Sequence, residues 1–215
     1  MKDIYRTVKE YGQDETIINK SKFIGYASPI DSEEGALEFI EMIKTKHKDA
    51  THNVYAYVYG EDSNIQRFSD DGEPSGTAGI PVLQVIKKED LRNVVVVVTR
   101  YFGGIKLGGG GLIRAYTKSA KIGLDAGEIV DMTIHTKLRI IVDYTLFGKF
   151  ENFLSNSGYK AEDMIYKEKV EIHIYVMKSK LDDFIKDVMN LTNGTAEVIS
   201  LYEKHLPARN GLRIY

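Results

Sequence analysis

Two stretches of the chain concentrate residues that can do chemistry. The first, Gln66-Arg67-Phe68-Ser69-Asp70-Asp71-Gly72-Glu73-Pro74-Ser75-Gly76-Thr77-Ala78-Gly79-Ile80-Pro81, gathers Asp70, Asp71 and Glu73 in one glycine- and proline-containing loop. Carboxylates so close are able to hold Mg²⁺ or share a proton, as a phosphate-handling enzyme requires. In such loops they more often form turns or pair with nearby arginines. The second stretch is Thr99-Arg100-Tyr101-Phe102-Gly103-Gly104-Ile105-Lys106-Leu107-Gly108-Gly109-Gly110-Gly111-Leu112-Ile113-Arg114-Ala115-Tyr116. A strand, a glycine-rich loop and a helix in that order can cradle a phosphate. Glycines let backbone N–H groups approach an anion, and the helix N-terminus adds a favourable dipole. Arg100, Lys106 and Arg114 supply countercharge. The competing reading is that these glycines only permit tight turns and close helix packing.

Charge placement favours the anion-binding reading. From Leu91 to Leu124 there are six basic residues (Arg92, Arg100, Lys106, Arg114, Lys118, Lys121) and no acidic one. Taking this +6 from a net charge of −2 leaves −8 on the rest of the chain. A basic face on an otherwise acidic protein suits an anionic partner such as RNA, the alternative being a solvated helix face. Arg100, Lys106, Arg114 and Lys118 are therefore expected to form one exposed positive surface at the mouth of the loop. Arg67, Tyr101, Gly103, Gly104, Gly108, Gly109, Gly110, Gly111 and Lys121 are further candidate anion or nucleic-acid contacts. Of Tyr101 and Phe102, either one ring is available for base stacking and the other enters the core, or both enter the core.

Other chemistries find less support. No Gly-Lys-Ser/Thr follows the glycines at Walker A spacing, and a GxGxxG match alone is too weak to claim a dinucleotide. There is no HExxH and no nucleophile-elbow serine, and His52 has no sequence-near partner, so a hydrogen-bonded structural role is expected for it. No catalytic residue, metal site or cofactor is assigned. Cysteine is absent, which excludes disulfides, thiolate metal sites and cysteine nucleophiles. No apolar run reaches the ~20 residues of a membrane span, and the N-terminus has no signal-like segment, so the expected compartment is the cytoplasm and no membrane partner is expected.

The positioning elements follow from periodicity. Thr16–Lys20 and Lys22–Pro29 read as strands, and Ser32 caps a helix running to about Lys48. Asn53–Tyr59 is a strand with Tyr55, Tyr57 and Tyr59 on one face, expected to lie under a helix. Leu91–Thr99, with Val94 to Val98, is a central strand buried on both faces. A helix follows from Leu112 to Ala126 with Arg114, Lys118 and Lys121 on its outward face. No element is assigned between Glu73 and Leu91. From Lys137 the pattern starts afresh in the order βαββαβ, a ferredoxin-like arrangement. With 215 residues and 43% hydrophobic composition, two domains are expected, 1–133 and 137–215.

Together with His52-Asn53, the two chemical stretches closely resemble the signature of the IMPACT family, called YigZ in bacteria, whose motifs read approximately DDGEPxGTAGxP and VTRYFGGxxLGxGGLxRAY. The resemblance covers the first domain; the second matches by element order. It implies an α+β protein, with an N-terminal domain similar to domain 2 of ribosomal protein S5 and a ferredoxin-like C-terminal domain similar to those of elongation factor G. It also implies a role in translation and its regulation, with RNA or the ribosome as partner. Eukaryotic IMPACT proteins regulate a stress kinase through an additional N-terminal domain, and no segment here fits it, so that role is not carried over. A phosphate-handling enzyme remains the alternative, as does a protein-interaction module docking through the tyrosine-rich sheet or a C-terminal edge strand.

Overall fold

The structure, a computed structural model, describes residues 4–209 and 212–214. The chain divides into two compact units, Met1–Asp131 and Met132–Tyr215.

The first unit is organised by the valine run. Strand β6 (Val94–Tyr101) is the middle of an antiparallel sheet that also contains β2 (Gly12–Ile18), β3 (Ser21–Pro29), β4 (His52–Tyr59) and β5 (Ile65–Ser69), in the order β2-β3-β6-β4-β5. Successive side chains of a strand point to opposite faces. Val94, Val96 and Val98 accordingly enter one apolar cluster, and Val95 and Val97 enter another. A strand so placed needs apolar residues throughout, which is why its sequence does not alternate.

Helix α1 (Glu33–Lys46) covers the Val95/Val97 face with Ala36, Ile40 and Ile43. It starts where Ser32 accepts the Gly35 N–H at 2.9 Å. The tyrosines of β4 lie beneath it, and the Tyr57 hydroxyl donates to Glu33 at 2.6 Å. The opposite face carries α2 (Gly79–Lys88) and α3 (Gly109–Ala126). Helix α3 lies close to the sheet because Gly25 and Gly123 meet there. A Cβ on Gly25 would fall 1.9 Å from the Ser119 carbonyl oxygen.

Strand β1 (Ile4–Val8), β5 and α2 add to the elements expected from periodicity. Six of the ten residues of α2 are buried, so it lacks a readable polar stripe. Helix α3 begins at Gly109 rather than Leu112, so three of the glycines form its first turn and not a preceding loop.

In the second unit, β7 (Ile129–Val142), α4 (Tyr144–Ser157), β8 (Ala161–Tyr166), β9 (Val170–Met177), α5 (Leu181–Leu191) and β10 (Glu197–Arg209) follow the ferredoxin-like order, with a short β11 (Leu212–Arg213) after them. The strand order is β11-β10-β7-β9-β8. Leu138, Ile140, Ile172 and Ile174 pack with Phe150, Leu154, Phe184 and Val188 of the two helices. Gly158, at φ 74°, ends α4 in the left-handed conformation.

Candidate functional site

The end of β6 sets the geometry. Arg100 shares the face of Val94, Val96 and Val98, whereas Tyr101 shares that of Val95 and Val97. Across the sheet Arg100 is opposite Phe23 on β3 and His52 on β4, which occupy the same face. The guanidinium therefore lies over an apolar surface, 5.4 Å from the centroids of both Phe23 and Phe102. Such a charge needs a counterion. Glu73 supplies it, with Oε1 accepting from Arg100 Nη1 at 2.5 Å and from the Tyr116 hydroxyl at 2.8 Å. Arg100 is 5% exposed and Glu73 8%. Burial first, then the charge of Glu73, pushes the Tyr116 phenol far above its ordinary value, so it remains a donor. His52 donates from Nδ1 to the Asp71 carbonyl at 2.7 Å, and its Nε2 lies 3.7 Å from Glu73 Oε1.

This network forms one wall of a cleft of about 390 Å³. Phe102, Leu107 and Leu112 form an apolar wall, and the backbone at Gly108 and Gly109 closes another side. The N-terminus of α3 has no side-chain cap and no acidic residue in its first turn. Its ladder begins with the Leu112 N–H donating to the Gly108 carbonyl at 2.9 Å, which leaves the Gly109, Gly110 and Gly111 amides outside the ladder. Arg114 folds back over this turn, with Nη1 3.6 Å from the position a Cβ on Gly110 would take. Lys106, Arg114 and Lys118 are exposed and form no ion pair among the described residues.

Sequence comparison identifies relatives with the same two halves. Residues 19–124 match the Impact N-terminal domain, and residues 140–195 match a domain of unknown function, DUF1949. The IMPACT family member YvyE of Bacillus subtilis is 47% identical over 194 residues, covering 90% of this chain and 89% of that protein. The chain belongs to the IMPACT family. YigZ of Escherichia coli, another IMPACT family member, is 31% identical over 188 residues, covering 86% of this chain and 92% of its own. Protein IMPACT of Danio rerio is 47% identical over 66 residues, covering 29% of this chain and 20% of its own. A crystal structure described as that of a hypothetical protein superposes with a TM-score of 0.59 at 28% identity, covering 94% of this chain and 99% of that one.

The two IMPACT signature strings thus meet in space, but they do not form the surface expected from charge spacing. Arg100 lines the cleft beside the glycine turn but is not exposed there. It is buried in an ion pair with Glu73, because its strand is central and its face apolar. Arg67 sits opposite Tyr57, on the α1 face, and pairs with Glu33 at 3.7 Å, away from the glycine turn. Tyr101 also turns to the α1 side, where its hydroxyl contacts His47 Nδ1 at 2.8 Å. Lys121 is held by Asp125 at 2.6 Å and Glu89 at 3.3 Å, towards the far end of α3. Gly103 packs against the Lys20 backbone, where a Cβ would come within 2.0 Å, whereas Gly104 is an open turn at φ 84°. Of the cations expected at the loop mouth, Lys106, Arg114 and Lys118 are exposed.

The three carboxylates likewise separate. Asp70 accepts from the amides of Gly76, Ala78 and Gly79 at 2.9, 3.1 and 2.8 Å, and so caps α2 from nine residues upstream. Asp71 accepts from the Asn53 amide at 2.6 Å and lies 3.8 Å from Lys44. Among the described residues no group of three or more His, Asp or Glu is gathered to hold a metal. Alanine at Asp70 is expected to lower stability by ~1–2 kcal/mol, the upper range for a lost cap, since several amides lose one acceptor. Urea unfolding measures this; an unshifted midpoint would show that water replaces the carboxylate.

Residues missed by sequence reasoning are those whose role is visible only in three dimensions. Tyr116 reads as core, and only its hydroxyl hints at a buried acceptor. Thr51 and Ser21 accept the Phe102 and Gly103 amides at 3.0 and 3.1 Å, and nothing in their sequence neighbourhood signals it.

Proposed function

We propose that this IMPACT-family chain binds the phosphate backbone of RNA, free or in the ribosome, in the setting of translation, through the N-terminus of α3 and the cations around it. The observation that carries this reading is an uncapped, glycine-built helix terminus with exposed Lys106 and Arg114 near it and exposed Lys118 one turn beyond Arg114 along α3, none of them neutralised by an ion pair among the described residues. A helix terminus of this kind offers free amides and a positive dipole end, and the three side chains add charge that an anionic polymer can reach. Buried Arg100 contributes by fixing the cleft wall with Glu73, rather than by touching the ligand backbone. The proposed setting is the cytoplasm, and no cofactor is required. No helix among the described residues is long and apolar enough to cross a membrane.

Binding of mixed-sequence single-stranded RNA across a salt series tests the proposal. Phosphate contacts position without specifying, so affinity should fall steeply with salt and vary little with sequence. Salt-insensitive binding, or metal-dependent turnover of a small phosphorylated molecule, would favour the enzyme alternative instead.

A further inference from the structure

We infer that the cleft takes one unstacked base of a single-stranded nucleic acid, laid against the ring of Phe102, while the adjoining phosphate meets the α3 N-terminus. This rests on the backbone-binding reading above and adds a strandedness requirement to it.

Phe102 is 48% exposed and lines the cleft, with the Arg100 guanidinium 5.4 Å from its ring centroid. Its backbone is fixed on both sides. The Phe102 amide donates to Thr51 Oγ1 at 3.0 Å, the Gly103 amide donates to Ser21 Oγ at 3.1 Å, and Gly103 is packed too tightly on the Lys20 backbone for any side chain. The backbone that carries the exposed ring is therefore anchored before any ligand arrives, which lowers the ordering cost of binding. Its neighbour Tyr101 points the other way and spends its hydroxyl on His47, so of the two adjacent aromatics only Phe102 faces the cleft.

The surroundings suit a base. Leu107, Leu112 and Pro74 supply apolar walls, and Gly108 and Gly109 bring the helix terminus to the same cavity. A second polar element accompanies that terminus: Arg100, 5% exposed, lines the cleft and has no hydrogen-bond partner at Nε. A volume of about 390 Å³ accommodates a nucleotide-sized ligand. A base in a duplex is paired and stacked and cannot lie against the ring, whereas single-stranded bases stack on aromatic side chains with little regard to sequence.

The test uses the full chain and oligonucleotides of one length carrying 2-aminopurine, single-stranded or annealed to a complement. Wild type should bind the single strand more tightly than the duplex and quench its fluorescence. Phe102→Ala should weaken single-strand binding by roughly 5- to 150-fold, the range for one stacked base, and abolish the quench with the salt slope unchanged; Phe102→Tyr should retain both. Equal binding of single strand and duplex, or a Phe102→Ala variant that binds and quenches like wild type, overturns the inference while leaving the phosphate reading intact. Absence of salt-dependent binding in wild type overturns both. Thermal unfolding of the two variants, expected to match wild type, separates loss of binding from loss of fold.

Discussion

Alanine at Glu73 is expected to destabilise the first unit by ~3–5 kcal/mol, because it strands the buried Arg100 guanidinium without a counterion. The charge cannot escape to solvent by a small rotation, since Arg100 is 5% exposed and bracketed by Phe23 and Phe102. Its Nε already lacks a hydrogen-bond partner, so the pair with Glu73 is the main compensation for its desolvation. Tyr116 loses its acceptor in the same change. Replacing both partners, as in Glu73→Ala with Arg100→Met, should recover most of the loss, as removing a whole buried pair is far cheaper than removing half of one. Urea unfolding of the two single variants and the double variant provides the cycle. A Glu73→Ala loss below ~1 kcal/mol would place the pair in the class of solvated ion pairs.

Alanine at Lys106, Arg114 and Lys118 together should have the opposite signature. Because all three side chains are exposed and unpaired among the described residues, stability should change little, as for most surface substitutions. RNA binding should suffer. With a salt slope of about 0.7 per phosphate contact on single strands, losing three contacts lowers the slope by roughly 2 and weakens binding roughly 50-fold at 0.15 M salt. Arg67→Ala and Lys121→Ala serve as controls, since both cations are spent on carboxylates elsewhere. Filter binding across the salt series reads all of these, and an unchanged slope in the triple variant would remove these side chains from the interface.

What was legible in the sequence was whatever depends on local periodicity. The valine run announced a strand buried on both sides, and Ser32 announced the start of α1. The position of the candidate site was legible too, because two unusual strings carry it. What did not follow from spacing was which charges face solvent. Arg100 and Lys106 are six residues apart and both basic, yet one is on a central strand facing a hydrophobic cluster and the other on an open turn. Only the sheet order decides between them, and that order depends on pairings between segments distant in the chain. Asp70 shows the same limit. Its three amide partners are six to nine residues away, and α2 is capped from a loop rather than from the residue before it.

The proposed anion contact is the set of free amides at the α3 N-terminus. Titration of ¹⁵N-labelled protein with inorganic phosphate, then with a single-stranded RNA, observes those amides directly. The largest shifts are expected at Gly109, Gly110 and Gly111, saturating with both ligands and weakening with salt, while amides around Arg67 stay in place. Saturating shifts elsewhere, with the three glycine amides unmoved, would contradict it.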